Sequence, residues 1–477
     1  MSLRLAPYPA YRDSGVPWMG DMPAHWAVER VKSLPRRGHK TFVDGDWIES
    51  PYITGEGIRL IQTGNIGVGA YREKGFRYIS DHTFQAFGCT EFFPNDVLIC
   101  RLGEPVGRAC LAPALGARMI TSVDVCILKP RPDVCPAYLV RAMSSPRYLD
   151  WIGSLVRGST RDRVSRTMLG TFRVPLPSSV EQRAIARFLD HADRRINRLI
   201  RAKRRLIELL NEQKQAITHR AVTRGLDPNV RLKPSGIDWL GDVPEHWGVS
   251  RSKRLFTVRK ELARSDDVQL SATQAYGVIP QSEFEEKVGR RVVKISMHLE
   301  KRRHVERDDF VISMRSFQGG LERAWAPGAI RSSYVVLKPE PDVDVGYFSY
   351  LLKSPGYIRA LQATAGFIRD GQDLTFDDFC QVGLPLMPLD EQRAIAAHVS
   401  AETARIEATS SRSTREVELL REYRTRLIAD VVTGKLDVRG VELPPLDDDG
   451  ALDEIDAPDD GDAGEMLKGA EDGDGAD

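Results

Sequence analysis

The sequence predicts a mixed α/β (α+β) fold with two similar globular domains and two long helices that form a coiled coil, related by pseudo-two-fold symmetry. Two repeated segments indicate the duplication. Trp18–Trp26 (WMGDMPAHW) returns as Trp239–Trp247 (WLGDVPEHW), and Glu181–Ala186 (EQRAIA) returns as Glu391–Ala396. This repeat is far longer than the units of a solenoid, so a whole domain and the helix after it are duplicated. Two similar surfaces suit a partner with two-fold character, and duplex DNA is the commonest.

The repeats divide the 477 residues into five segments. They are a first domain over 1–178, a first long helix over 179–225, a second domain over 226–388, a second long helix over 389–440 and an acidic tail over 441–477. Each domain is long enough to bury its own hydrophobic core. Gly225 and Gly434 follow the two helical patterns at nearly equivalent places, where a helix commonly ends.

Both domains show short apolar runs between Gly and Pro turns, followed by a helix, in the same order. The predicted strands are 58–62, 96–100 and 123–128 in the first domain and 309–313 and 333–337 in the second, and the predicted closing helices are 136–156 and 345–364. The ends of the two domains match closely, whereas their middles, residues 35–120 and 256–330, hardly match. This contrast indicates one scaffold that carries two different reading surfaces.

The first long helix carries its apolar residues at alternating spacings of four and three, which is the pattern of a coiled-coil seam. The seam residues are Ile185, Leu189, Ala192, Ile196, Leu199, Lys203, Leu206, Leu210, Gln213 and Ile217. The second helix keeps this register at its ends but is polar in its middle. Since so long a helix is not stable alone, we expect the two helices to pack on each other. The alternative is that each helix packs on its own domain.

The charge is unevenly distributed along the chain. Residues 441–477 contain fifteen acidic side chains and one lysine, which leaves +15 on residues 1–440 although the whole chain carries +1. The tail has too few large apolar residues to offset its ordering entropy, so we expect it to be disordered. The rest of the chain has the charge of a protein that binds a polyanion.

The location of the protein follows from what the sequence lacks. No apolar run approaches the roughly 20 residues of a membrane span, and the N-terminus lacks the apolar stretch of a signal peptide. The six cysteines have no CxxC spacing, which favours buried or incidental thiols over a disulfide framework or a zinc site. We therefore expect a cytoplasmic protein that does not contact a membrane.

The repeated motifs resemble those of the DNA specificity subunits of type I restriction-modification enzymes. The resemblance rests on the two Trp-Gly-Asp-Pro-His-Trp segments, the two EQRAIA helices and Phe317–Gly320 (FQGG), and it spans roughly residues 8–440. It implies two target recognition domains, each reading one half of a bipartite double-stranded DNA site, held apart by an antiparallel pair of helices. It also implies that the chain bridges two methyltransferase (modification) subunits and two restriction (helicase-nuclease) subunits.

The same resemblance implies a non-catalytic subunit, so S-adenosylmethionine, ATP and Mg²⁺ would belong to the partner subunits. The sequence has no Asn/Asp-Pro-Pro-Tyr motif, no GxxxxGK[ST] loop and no HExxH or other metal-ligand spacing. Gly64–Gly69 follows a strand but precedes no helix, which indicates a turn and not a cofactor loop. Two alternatives stay open: a self-sufficient DNA methyltransferase or nuclease with unusual motifs, and a transcriptional regulator that binds DNA through two domains.

Candidate DNA contacts are basic, hydroxyl and amide side chains on glycine-containing loops, because such side chains donate to phosphates and base edges. They are Arg157, Ser159, Thr160, Arg161, Arg163, Arg315, Gln318, Arg369 and Gln372. For any one of them, a solvated or scaffold role is the alternative. Seven basic residues lie between Arg194 and Arg205 on the first long helix. Three interpretations stay open: they face spacer DNA, they face acidic helices of a partner, or they face only solvent.

The repeated segments contain His25 and His246, each followed by a tryptophan. We expect both histidines to be structural, with hydrogen bonds to the backbone at the entrance of each domain. The four tryptophans of these segments are expected to be packing anchors and not base-stacking platforms, because they recur unchanged where the two domains must read different bases. They are Trp18, Trp26, Trp239 and Trp247.

Overall fold

The computed structural model describes residues 5–156, 162–291, 301–312, 321–364, 367–368, 371–372 and 375–445. It has a mixed α/β fold with two very long helices. The described residues form two compact units: unit 1 consists of residues 5–203 and 415–445, and unit 2 of residues 204–414. Within the described ranges, no helix is long and apolar enough to cross a membrane.

Unit 1 is built from eleven described strands, four short helices and parts of the two long helices. The strands are β1 (Tyr11–Asp13), β2 (Asp21–Pro23), β3 (Ala27–Arg30), β4 (Phe42–Asp44), β5 (Ile58–Ile61), β6 (Tyr78–Ile79), β7 (Val97–Cys100), β8 (Ala109–Leu111), β9 (Met119–Thr121), β10 (Val125–Leu128) and β11 (Arg173–Leu176). The helices are α1 (Asp81–Phe87), α2 (Pro136–Met143), α3 (Pro146–Val156), α4 (Arg166–Thr171) and the first part of α5 (Ser179–Arg224).

The centre of unit 1 is an antiparallel sheet in the order β4-β10-β7-β8. Its strands are apolar on both faces because both faces are covered. Val97 and Ile99 belong to a core shared with α2, α3 and α4, whereas Leu98 and Cys100 belong to a core shared with a second sheet. That second sheet has the order β6-β5-β9, with β5 and β9 parallel.

Unit 2 repeats the central sheet of unit 1 but not its second sheet. Its strands are β12 (Leu232–Pro234), β13 (Asp242–Pro244), β14 (Gly248–Arg251), β15 (Phe256–Val258), β16 (Leu270–Thr273), β17 (Gly277–Pro280), β18 (Arg303–Val305), β19 (Phe310–Ile312), β20 (Glu322–Arg323), β21 (Gly328–Ile330), β22 (Val335–Pro339), β23 (Phe367–Ile368), β24 (Gly371–Gln372) and β25 (Gly383–Leu386). The central order β15-β22-β19-β20 corresponds strand for strand to β4-β10-β7-β8. The middle forms the two-stranded sheets β16-β17 and β18-β21 instead.

The helices of unit 2 also follow the order found in unit 1. They are α6 (Ser252–Leu255), α7 (Gln281–Val288), α8 (Val345–Leu351), α9 (Pro355–Thr364), α10 (Phe376–Gln381) and α11 (Leu389–Val432), the last of which continues into unit 1. The prediction of a single closing helix in each domain is wrong. Each is two helices, and Pro146 and Pro355 are the first residues of the second one. A proline has no backbone N–H for the preceding turn, but it fits the first helical position.

Each tryptophan-containing segment is bound to the start of the long helix that follows its domain. In unit 1, Trp26 Nε1 donates to Glu181 Oε1 over 3.0 Å. In unit 2, Trp247 Nε1 donates to Glu391 Oε1 over 2.9 Å. We call Trp26 with Glu181 the first clasp, and Trp247 with Glu391 the second clasp. The two repeated motifs of the sequence are therefore the two halves of one contact.

The repeated histidines join the same carboxylates. His25 Nε2 lies 3.1 Å from Glu181 Oε2, and His246 Nε2 lies 2.9 Å from Glu391 Oε2. The structural role predicted for these histidines fits this position, but the predicted backbone partner is wrong. A sequence does not show that a glutamate about 150 residues away occupies the entrance of the domain, so the backbone was the nearest available partner.

The other repeated tryptophans are packing anchors, as predicted. The ring of Trp18 meets Tyr148 edge-on, and the ring of Trp239 meets Tyr357 in the same way, with centroids 5.4 and 5.6 Å apart. Their indole N–H groups donate to the backbone oxygens of Arg173 and Gly383. Each anchor thus holds its segment on the core of its own unit.

The ends of the long helices also reach the clasps. Gly434, which follows α11, has φ of +75°, and a Cβ at this residue would collide with Pro23 beside Trp26. Gly225, which follows α5, has φ of +74° and lies against Trp247 and Glu391. Glycine is required at both places because the backbone is left-handed and there is little room for a side chain.

The two long helices pack antiparallel within each unit. In unit 1, Asp193 pairs with Arg424 at 3.1 Å and Lys203 pairs with Glu416 at 2.6 Å, so one residue number rises as the other falls. In unit 2, Lys214 pairs with Glu407. Lys203, which was predicted in the apolar seam, is therefore part of an ion pair between the two helices.

The predicted seam is right at Ile185, Leu189 and Ile196, which are buried, and wrong at Leu199 and Leu206. Ile196 and Ile200 are buried with Val417, whereas Leu199 and Leu206, which were predicted in the seam, are exposed. The packed positions therefore include residue 200 and not residue 199. The sequence allowed both choices because apolar residues occupy both faces of the helix.

The first residues of the predicted tail are packed on unit 1. Val441 and Leu443 join an apolar cluster that contains Tyr8 and Trp26, and His191 Nε2 lies 2.9 Å from the backbone oxygen of Pro444. The prediction of disorder is therefore wrong for residues 441–445.

Candidate nucleic-acid interface

Two of the nine predicted DNA contacts fall on described residues, and the others lie outside them. Arg163 is described in full, and the backbone of Gln372 forms part of β24, paired with Phe367. The seven outside the described residues are Arg157, Ser159, Thr160, Arg161, Arg315, Gln318 and Arg369. Their roles stay predictions.

Arg163 lies on the surface of unit 1 with its charge shared. Its backbone forms an antiparallel bridge with Leu102, and its Nη2 atom lies 2.8 Å from Asp124 Oδ1. About half of the side chain, 53%, is exposed, so the guanidinium can exchange this partner for another anion at little cost.

Leu102 and Asp124, the two partners of Arg163, line a cleft of about 470 Å³ in unit 1. We call this the unit 1 cleft. Its lining residues are Asp46, Trp47, Ile48, Gln62, Thr63, Gly64, Asn65, Lys74, Gly75, Leu102, Ser122, Val123 and Asp124. Most of the wall belongs to the middle of the domain, where the two copies of the sequence do not match. The predicted Arg163 is therefore placed beside a concave surface that is built mostly from the unmatched sequence of this unit.

Residues 72–77 form a basic and aromatic loop at one wall of the cleft. The side chain of Arg59 holds this loop through hydrogen bonds. Arg59 is buried, and its guanidinium donates to the backbone oxygens of Gly75 and Arg77 and to Glu73 Oε1 at 3.0–3.3 Å. The same guanidinium lies 5.2 Å from the ring centroid of Phe76. The loop is thus rigidly held although all six of its residues are exposed.

Asn65 fixes the same loop from the other side. Its Nδ2 atom donates to the backbone oxygens of Arg72 and Lys74, and its Oδ1 atom accepts from the backbone N–H of Gln62. Since all these groups are used inside the protein, Asn65 positions the loop and does not itself contact a ligand. The Gly64–Gly69 segment is a turn, as predicted.

The surface of unit 2 carries exposed aromatic rings beside cations. Arg323 lies over the ring of Trp325, with its Cζ 4.4 Å from the centroid, and Lys287 lies 5.3 Å from the ring of Tyr276. Both aromatic rings are partly exposed. Aromatic rings beside cations are a common surface for nucleic acid.

Sequence reasoning missed Trp47, Lys74 and Trp325 as candidates. It favoured glycine-containing loops after the closing helices, whereas these residues lie in the unmatched middles. The signal that could have found them is the alternation of basic and aromatic residues in Tyr71–Tyr78 (YREKGFRY).

The basic residues of α5 are partly occupied by acidic neighbours. Arg194 pairs with Asp190 on its own helix, and Lys203 pairs with Glu416 on α11. Arg205 pairs with Glu208. The predicted basic stripe is thus less positive than its sequence indicates.

Comparisons with known proteins found similar sequences and similar folds. The family model described as type I restriction modification DNA specificity domain matches residues 51–209. A Methanocaldococcus jannaschii protein named as the type I restriction enzyme MjaX specificity subunit is 22% identical, over 88% of this chain and 96% of its own length. Residues 51–209 therefore match a type I restriction-modification DNA specificity domain. This match confirms the resemblance expected from the repeated motifs.

Further comparisons found similarity in sequence and in fold. The MjaVIII specificity subunit of the same organism is 27% identical over 35% of this chain and 36% of its own. A chain solved in a study of complex assembly and conformational transition of the type I R-M system has a TM-score of 0.60 with 15% identity, covering 87% of this chain and 99% of that chain. The HsdS subunit from Thermoanaerobacter tengcongensis has a TM-score of 0.51 with 16% identity, over 87% and 98%.

Proposed function

We propose that this chain recognises a bipartite DNA sequence, with one half read by residues 1–178 and the other by residues 226–388. One observation carries the proposal. The two units share a central sheet order and a clasp, yet their unmatched middles build different surfaces, the unit 1 cleft in one and the Tyr276 and Trp325 surface in the other. A protein that read one repeated sequence would need the same surface twice.

The long helices are proposed to be an antiparallel coiled coil that sets the distance between the two half-sites. The ion pairs of Lys203 with Glu416 and of Lys214 with Glu407 support this role, because both have the antiparallel direction. The buried cluster of Ile196, Ile200 and Val417 supplies the apolar part of the seam. In this proposal, residues 179–225 and 389–440 read no bases.

The same helices are proposed to hold partner subunits. In unit 1, Leu199, Leu419 and Tyr423 are exposed, at 44%, 47% and 56%. Leu199 and Leu419 line a groove of about 350 Å³ with Lys203 and Glu416. Exposed leucines in a groove are typical of a protein interface. The proposed partners are two methyltransferase subunits and two restriction subunits.

Catalysis is proposed to belong to those partners, together with S-adenosylmethionine, ATP and Mg²⁺. The test is expression of this chain with its methyltransferase subunit, followed by mapping of methylated adenines across a genome. A single bipartite motif that disappears without this chain is the expected result. Methyl transfer from labelled S-adenosylmethionine by the purified chain alone would favour a self-sufficient methyltransferase instead.

A further inference from the structure

We propose that the unit 1 cleft receives one strand of the DNA half-site read by this unit, with the ring of Trp47 contacting a base and the ammonium of Lys74 contacting a backbone phosphate. The proposal rests on the function proposed above and deepens it by naming the contacting residues.

Trp47 is exposed to an extent that the fold does not require. Its exposed fraction is 69%, the largest among the exposed aromatic residues described, and it lines the cleft directly. A ring held in water contributes little to the stability of the domain. It does offer a face or an edge for contact with bases, each of which stacks on an aromatic ring.

The backbone that carries Trp47 is fixed. Asp46, the preceding residue, donates its N–H to the backbone oxygen of Thr121 over 2.8 Å, and its Oδ2 atom accepts from the N–H of Thr90 over 2.8 Å. The point at which the Trp47 side chain leaves the backbone is therefore set before DNA arrives. Less conformational entropy is lost on binding when a contact is preorganised in this way.

Lys74 also lines the cleft, in the loop held by Arg59 and Asn65. Its backbone oxygen accepts from Asn65 Nδ2 over 2.7 Å, while the residue itself is exposed. Arg72 and Arg77 of the same loop are also exposed. These cations give the wall the charge that attracts a phosphodiester backbone.

The two acidic residues of the cleft do not cancel this attraction. Asp124 is paired with Arg163 at 2.8 Å. Asp46 is bonded to the N–H of Thr90, and burial raises the pKa of its carboxyl group above the ordinary value. Asp124 is thus engaged in an ion pair, and Asp46 in a hydrogen bond inside the protein.

The test compares Trp47→Ala with Phe87→Ala in the chain expressed with its methyltransferase subunit. Phe87 is an exposed aromatic residue of the same unit that does not line the cleft. We expect Trp47→Ala to relax or lose bases in only one half-site and to weaken specific binding roughly tenfold or more. Phe87→Ala should leave the recognised motif and the affinity unchanged.

Lys74→Gln provides a second and independent reading. Loss of one phosphate contact should weaken binding to all sequences and reduce the salt slope of binding by about one, with the recognised motif unchanged. If the complex that contains Trp47→Ala methylates the same motif at the same rate as the complex with the unmodified chain, the assignment of Trp47 is wrong. An unaltered salt slope for Lys74→Gln would show that Lys74 does not contact a phosphate.

The outcomes separate this inference from the proposed function. If the unmodified chain directs no bipartite methylation, the proposed function fails. If it does, and both cleft variants behave like Phe87→Ala, the function stands and only the cleft assignment is overturned. Thermal melting of each variant shows whether the fold is intact; should Trp47→Ala unfold, the salt slope of Lys74→Gln decides.

Discussion

Trp26 and Glu181 are joined by a 3.0 Å hydrogen bond between the indole N–H and a buried carboxylate. The same carboxylate accepts a 2.7 Å hydrogen bond from the Tyr8 hydroxyl and lies 3.1 Å from His25 Nε2. Burial, together with the bond to Glu181, raises the pKa of Tyr8 far above its ordinary value. Glu181 therefore satisfies three buried or half-buried groups at once.

We predict that Glu181→Ala destabilises the protein more than Glu391→Ala. Loss of the first carboxylate leaves buried donors unsatisfied and should cost about 3 kcal/mol. The Glu391 side chain is more exposed and has two described partners, Trp247 and His246, so its loss should cost about 1 kcal/mol. Urea unfolding of the two variants measures the difference, and equal losses would show that the clasps are equivalent.

A pH dependence is predicted for unit 2 from His304. This buried side chain lies 2.8 Å from Asp267 Oδ2 and 2.9 Å from Glu306 Oε1, and Arg264 lies 3.3 Å from the same glutamate. Burial alone lowers the pKa of His304, but the hydrogen bonds to Glu306 and Asp267 outweigh it and raise the pKa above 6.5.

The stability that His304 contributes should be fully present below about pH 6.5 and lost as the pH rises through the raised pKa. Melting temperatures of the unmodified chain and of His304→Gln, compared from mildly acidic to alkaline pH, measure this. The gap between them should narrow as the pH rises. A gap that is constant with pH would mean that His304 does not titrate in this range.

Arg315 and Gln318 are predicted to read the half-site that belongs to residues 226–388. Replacing both by Ala should relax bases in one half only, with a loss of about 1–3 kcal/mol per bidentate contact. Methylome sequencing shows the affected half. It should be the half that Trp47→Ala leaves intact, and degeneracy in both halves would contradict the assignment.

Removal of residues 446–477 is predicted to raise nonspecific DNA affinity at low salt. These residues are rich in acidic side chains, which compete with DNA for basic surface, and nonspecific binding is almost wholly electrostatic. The truncation should begin at 446 and not 441, because Val441 and Leu443 are packed. Binding to an unrelated duplex measures the effect, and the recognised motif should not change.

A matched lengthening of the helices is predicted to lengthen the spacer between the half-sites. Since Lys203 faces Glu416, a heptad inserted after Ala202 lies opposite one inserted after Glu416. The pair adds about 10 Å, which is roughly three base pairs. Genome-wide methylation mapping shows the spacer length. An unchanged spacer would mean that the domains or the methyltransferase subunits set the distance.

The sequence predicted the order of elements well where the chemistry is local. Apolar runs located β5, β7 and β10, and prolines located the start of each long helix. It predicted less where the answer depends on distant contacts. The partner of His25 lies on another element, and the choice between Leu199 and Ile200 in the seam depends on Val417 of the opposite helix. The cleft was missed because its walls come from five separate segments of the chain.

The first and last described segments of the chain are neighbours in unit 1. The backbone N–H of Asp437 donates to the oxygen of Ala6 over 2.8 Å, and the Tyr11 hydroxyl donates to the oxygen of Gly434. The order in which the elements are translated is therefore not fixed by the fold. A circularly permuted chain, opened at Pro228 and linked from Pro445 to Leu5, would keep both clasps and every strand pairing, and it could begin synthesis with either reading domain.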